Sequence, residues 1–183
     1  MDFASKTIPL KNGGTCLIRR GEERDAEILI RHWEVTAGET SNLSREPGGV
    51  SISLEEERAL IREKNDSGRV LNLLAFVDGR HAGNCAFNPV EDVERKWHRC
   101  SIGIVLYREF WDMGIGTALM GEILSAAKAA RYEQAELEVI STNAAAIGLY
   151  KKFGFEVTGT HPHAIKYRDG TYGDFLLMVK YLT

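Results

Sequence analysis

No apolar run in this 183-residue sequence approaches the ~20 residues that a membrane-spanning helix needs. Its first residues, Met-Asp-Phe-Ala-Ser-Lys, have none of the long apolar core of a secretory leader. A cytoplasmic protein without a membrane partner is expected. Cysteine is scarce: Cys16, Cys85 and Cys100 are odd in number and show no CxxC spacing. That pattern argues against a disulfide framework or a zinc site, so no metal is expected. Charge of one sign is missing as well. With 23 Lys and Arg against 26 Asp and Glu, the net charge of −3 creates no basic field, and nucleic acid is not an expected partner. Repeats and low-complexity tracts are absent, and residues 1–183 read as one domain able to bury a substantial core.

What is present alternates between strand and helix periodicity. Thr15–Arg20 reads as a first strand, and Ala26, Leu29, Ile30, Trp33 and Ala37 then recur at helical spacing. A breaker-rich loop over 40–51 follows. Ser53 and Glu56 form a capping-box pattern that opens a helix over Leu54–Lys64. Leu71–Val77 and His81–Phe87 flank Asp78-Gly79, a pair suited to the positive φ of a hairpin turn. Cys100–Leu106 is almost wholly apolar or small, the pattern of a fourth strand buried on both faces. Ile115, Leu119, Ile123 and Ala127 stripe a third helix, and Ala135–Ile140 predicts a fifth strand. Asn143–Phe153 predicts a short helix stopped by Gly154, with Phe155–Thr160 and Tyr172–Tyr181 as closing strands. The order β-α-α-β-β-β-α-β-α-β-β is that of an α/β domain with a mixed central sheet flanked by helices.

The chemistry concentrates in residues 108–119, Arg-Glu-Phe-Trp-Asp-Met-Gly-Ile-Gly-Thr-Ala-Leu, between the fourth strand and the third helix. A helix N-terminus offers unsatisfied N–H groups and partial positive charge, and Gly114 and Gly116 let a phosphate approach the backbone. A P-loop would need Lys after the second glycine, and a dinucleotide fingerprint would need a third glycine where Leu119 stands. A phosphorylated ligand of another kind is implied. Residues 109–120 hold no Lys or Arg, and Asp112 lies close to the expected phosphates, which predicts modest affinity.

Together with Leu137-Glu138-Val139, Asn143 and Leu149-Tyr150-Lys151-Lys152-Phe153-Gly154-Phe155, this turn resembles that of the GNAT family of acetyl-CoA-dependent N-acetyltransferases. The resemblance is close over residues 97–160 and rests on element order alone over 15–90. Trp111 stands where the family's Gln/Arg-x-x-Gly-x-Gly/Ala signature has Gln or Arg. The resemblance implies a GNAT fold with splayed fourth and fifth strands and acetyl-CoA as co-substrate. Its pantetheine arm would pair with the backbone of Ile104, Val105 and Leu106. Its diphosphate would sit on amides of Trp111, Asp112, Met113, Gly114, Ile115, Gly116 and Thr117. Asn143 would cap its helix and also contact the cofactor. Tyr150, two turns along the same helix, would act as general acid toward the departing thiolate, both residues facing the cleft. Glu138 would take the proton of the attacking amine, with Glu34, Glu39 or a water chain as rivals. Cys85 and Cys100, in apolar strands, are unsuited to a covalent route.

His161 and His163 are expected in a solvated linker before the last strand, and Trp33, Trp97 and Trp111 are expected to be structural. The expected function is direct acetyl transfer to the primary amine of a small molecule. A protein N-terminal acetyltransferase and a non-catalytic acyl-CoA sensor are the alternatives. Tyr167, Tyr172 and Tyr181, beside a C-terminal edge strand, suggest a homodimer.

Overall fold

The computed structural model describes residues 2–49 and 51–182. One mixed sheet organises them, with strands in the order β1-β2-β3-β4-β5-β6-β8-β7. These are β1 (Lys6–Pro9), β2 (Thr15–Arg20), β3 (Leu71–Val77), β4 (Arg80–Pro89), β5 (Arg99–Leu106), β6 (Gln134–Ile140), β7 (Glu156–Lys166) and β8 (Tyr172–Tyr181). Neighbours are antiparallel except β5 and β6, which α3 (Ile115–Ala129) connects as a crossover. α3 and α4 (Ala144–Lys152) cover one face, while α1 (Ala26–Glu39) and α2 (Leu54–Asp66) cover the other.

Local sequence accounts for most of this. Ser53 Oγ accepts from the Glu56 N–H and the Glu56 carboxylate accepts from the Ser53 N–H, so α2 starts on a complete capping box. Asp78 and Gly79 both take positive φ, 49° and 75°, and close the β3–β4 hairpin. Ile115, Leu119, Ile123 and Ala127 of α3 are fully buried against Leu71, Leu73, Cys85, Phe87 and Ile102 of the sheet. That single cluster is the main core, and stripping its water supplies most of the driving force. A smaller cluster, Ala26, Leu29, Ile61 and Leu74, seats α1 and α2.

Three expectations change. β5 is not buried on both faces: Cys100 and Ile102 are buried toward α3, but Ser101 and Gly103 on the other face are exposed. Small residues there leave space under α1 and α2 rather than filling it. β1 is an additional strand, four residues long and largely exposed, too short for a periodic signal. The supposed linker of His161 and His163 belongs to β7, which bulges between His161 and Ile165 to carry it. There His163 has φ 52°, donates its N–H to Asp174 Oδ1 at 2.8 Å, and stacks on Tyr172 at 4.5 Å. β1 and β7 are the sheet's edges, so Tyr172 and Tyr181 lie at the two ends of an interior strand, where both are exposed.

Between α1 and the sheet lies a polar seam. His32 of α1 is fully buried, its ring 4.9 Å from His81 and 4.6 Å from Tyr107, both edge-on. It packs over the cross-strand pair Asn84 and Val105. Those two groups favour a charged imidazole, yet neither ring nitrogen has a hydrogen bond of proper geometry. Burial outweighs them and pushes the His32 pKa down to about 3, and burial likewise takes His81 down to about 4. The unfolded chain then binds protons that the folded one refuses. Stability is complete above the unfolded value of 6.5 and declines as pH falls toward 3. Lowering pH from 6.5 to 5 should cost about 2 kcal/mol through His32 alone, with His81 adding in the same direction. Urea midpoints at pH 7 and pH 5 check this, and His32→Gln should flatten the difference.

Candidate active site

β5 and β6 pair only where Arg99, Cys100 and Ser101 meet Gln134, Ala135 and Glu136. Beyond that, β5 stays with β4 as far as Leu106 and β6 stays with β8 as far as Ile140, so the two strands diverge. Arg99 clamps the root of the divergence by a bidentate bond to Glu136, 2.7 Å on each arm. The result is a wedge-shaped gap whose walls are strand edges.

Alternation decides which peptide groups face the gap. Arg99 C=O accepts from Val90 N–H and Tyr107 N–H donates to Ala82 C=O, so the odd-numbered residues of β5 spend their backbone on β4. The backbone groups of Ile104 and Leu106 therefore face the gap, and those of Val105 do not. This corrects the expectation for Val105: its side chain points to the α1/α2 side instead. Leu106 C=O is already engaged, accepting from Trp111 Nε1 at 3.0 Å. Half-exposed Trp111 thus braces the mouth of the gap where the family signature carries Gln or Arg.

At the wide end lies the glycine turn. Gly114, at φ 92°, is the N-cap of α3, and the first bond there runs from Ala118 N–H to Gly114 C=O at 3.1 Å. The N–H groups of Gly114, Ile115, Gly116 and Thr117 are left without helical partners and fan outward. Trp111 drops out of this fan because its N–H donates to Arg108 C=O at 3.1 Å. Asp112 is exposed beside the turn with φ 60°. A Cβ on Gly116 would stand in ordinary van der Waals contact with Leu149 at 3.5 Å and Leu106 at 3.6 Å, so the fold tolerates a side chain there.

One lysine does stand beside the turn, brought there from elsewhere in the sequence. Lys11, in the β1–β2 hairpin, donates its N–H to Met113 C=O at 3.3 Å. Its side chain passes 3.8–3.9 Å from where a Cβ on Gly114 would stand. No sequence pattern announced it, because a single Lys in an unrecognised hairpin carries no spacing signal.

Asn143 caps α4, its Oδ1 accepting from Ala146 N–H at 3.2 Å. Tyr150 is buried on the α3 side beside Cys85, 5.9 Å from the Phe155 ring, and burial pushes its phenol pKa up. Its hydroxyl makes no hydrogen bond to another described residue. Glu138 lies between the core residues Leu137 and Val139, so it points from the opposite face of the sheet and is exposed there. Tyr150 and Glu138 thus stand on opposite faces of the sheet.

On the Glu138 face, a cavity of about 200 Å³ opens under α1 and α2. Trp33, Glu57, Lys64, Asn84, Gly103 and Val105 are among its walls. Glu34, Glu39 and Glu138 are not. Glu39 has another task, since its Oε2 accepts the Arg108 N–H at 2.8 Å and its C=O accepts from the Arg108 guanidinium. Glu57, which the sequence did not single out, is half-buried and its carboxyl is held above its ordinary pKa by burial.

A sheet parted beside an N-terminal glycine turn defines the acyl-CoA-dependent acyltransferases as a class. The model of the "Acetyltransferase (GNAT) family" matches residues 33–155, and the chain belongs to that family. It is 30% identical over 166 residues to the L-amino acid N-acetyltransferase AaaT of Escherichia coli K12, an alignment covering 90% of this chain and 96% of the relative. A GNAT-family acetyltransferase from Streptococcus pneumoniae superposes with a TM-score of 0.86 at 28% identity, covering 92% of this chain and 99% of its own. YncA of Salmonella typhimurium, solved with acetyl-CoA, superposes at 0.81 with 18% identity, covering 92% of this chain and 94% of its own. Acetyl-CoA is the co-substrate of the family, and no cluster of metal-ligating side chains exists among the described residues. No helix among them is long and apolar enough to cross a membrane.

Acetyl-CoA at about 100 times its dissociation constant should stabilise the fold by about 2.7 kcal/mol. Gly116→Val should remove that shift while the protein stays folded. Lys11→Ala should weaken acetyl-CoA about two- to fivefold, as one exposed charge contact is worth. Thermal unfolding with and without acetyl-CoA measures all three.

Proposed function

We propose that this enzyme transfers acetyl from acetyl-CoA to the amine of a small molecule, with an α-amino acid as the favoured acceptor class. The observation that carries it is the cavity: about 200 Å³, bounded by Gly103 and Val105 of the strand whose backbone also edges the gap. Liquid water takes about 30 Å³ per molecule, so the space holds about seven waters, the scale of one small molecule. The relative named for L-amino acid acetylation supports the same class.

The thioester would lie in the gap, its pantetheine amides paired with Ile104 and Leu106 as an added strand. The fan from Gly114 to Thr117, with Lys11, would take the diphosphate, and Asn143 would border the arm with its free amide nitrogen. An acceptor ammonium first yields a proton to a carboxylate, for which Glu138 on the cavity face is the candidate. The free amine attacks the thioester carbonyl, forming the C–N bond. As the C–S bond breaks, Tyr150 Oη–H protonates the leaving sulfur, and the phenolate recovers the proton that the nitrogen sheds. A phenol whose pKa is raised by burial is fully protonated at neutral pH, as that donor must be. The products are the N-acetyl amine, CoA thiol and one proton released through the carboxylate.

Tyr150→Phe removes only the hydroxyl, so acetyl-CoA should bind normally while kcat falls about 10²–10³-fold. Equal rates in the two proteins, with chemistry limiting, would reduce Tyr150 to a packed aromatic. Glu138→Gln should depress activity most at low pH, where free amine is scarce, and steady-state rates from pH 6 to 10 on an amino-acid panel read this out.

A further inference from the structure

Two charged side chains face the acceptor cavity, Glu57 and Lys64, and they are the charged residues of its described lining. Both belong to α2, where Glu57, Ile61 and Lys64 fall on one helical face at spacings of four and three. Neither side chain is in a salt bridge with another described residue. The remaining walls are of two kinds. Leu29, Trp33, Leu60 and Val70 are apolar, whereas Asn72, Asn84 and Asn88 offer carboxamides from the sheet. Asn84 donates Nδ2–H to Asn72 Oδ1 at 3.0 Å, and its own Oδ1 is buried without a partner. A half-buried cavity that holds one anion and one cation suits a ligand with one charge of each sign.

We propose that Lys64 and Glu57 are the specificity-determining pair of the acceptor site: Lys64 receives the carboxylate of a neutral α-amino acid, while Glu57 favours its ammonium end and repels a second carboxylate. This assignment rests on the cavity being the acceptor site of the acyl transfer proposed above. Burial raises the Glu57 pKa against the opposing pull of the Lys64 and Arg45 charges, so the two members of the pair act on one another in the free protein. The apolar wall accommodates an uncharged side chain.

The test is a thiol-release assay with acetyl-CoA and three acceptor sets: neutral L-amino acids, the same compounds as carboxamides, and L-aspartate with L-glutamate. The wild type should prefer the neutral acids over their carboxamides. Lys64→Met should lower kcat/KM on the acids about 10–100-fold, the loss of one hydrogen bond to a charged group. It should leave the carboxamides unchanged and keep the acetyl-CoA stabilisation, which certifies the fold. Glu57→Gln should raise the relative use of aspartate and glutamate. Acids and carboxamides used equally by the wild type, or lowered equally by Lys64→Met, would overturn the pair's role while leaving acyl transfer intact. Turnover of no amine at all by the wild type would remove both.

Discussion

Two parallel strands that separate after three paired residues leave peptide groups on their facing edges that no longer pair with each other, and the rest of the molecule follows from that separation. Unpaired backbone in a sheet interior is costly unless something satisfies it. β4 and β8 hold the outer edges of β5 and β6, and the Arg99–Glu136 clamp fixes where pairing stops. In the proposed complex the amides of the cofactor arm would complete the ladder, so affinity and orientation would come from the same hydrogen bonds. On the function proposed above, the strand that edges the gap with its backbone also walls the cavity with Gly103 and Val105.

That division of labour explains the contrast between the two faces of the sheet. The α3 face is apolar and closely packed, and it places Tyr150 in a setting that keeps its proton on. The α1/α2 face is polar and incompletely filled, with three sheet asparagines, a charged pair and His32 in contact with Val105 and Asn84. Gly83 allows the two strands beneath that histidine to approach. At φ 147° a Cβ there would stand 2.3 Å from the Val105 carbonyl oxygen. Close packing on one side and unfilled polar space on the other suit the proposed pairing of one fixed acyl donor with a small acceptor.

Much of this was legible in the sequence, for physical reasons that differ by element. Ser53 with Glu56, Asp78 with Gly79, and Gly154 are local signals, and each element they bound appears where expected. The glycine turn and α3 were equally plain, because a helix start and a four-residue apolar stripe need only near neighbours. What escaped depends on distance in sequence. Lys11 reaches Gly114 across more than a hundred residues, and Glu57 became a cavity wall only when α2 was laid against β5. The half-open character of β5 was hidden because Ser101 and Gly103 read as small core residues. The expectation for Val105 failed for a subtler reason, since composition does not reveal which edge of a strand a given peptide group faces.

The three cysteines carry a practical consequence for anyone working with this enzyme. Cys16, Cys85 and Cys100 are all reduced and fully buried, and burial raises each thiol, Cys100 to about 12. None presents a thiolate to solvent in the native state. A colorimetric thiol reagent therefore stays silent toward the folded protein and registers only the CoA that turnover liberates. The same reagent becomes a reporter of unfolding, because opening the core uncovers three sulfurs at once. One inexpensive dye thus monitors both catalysis and the integrity of the catalyst.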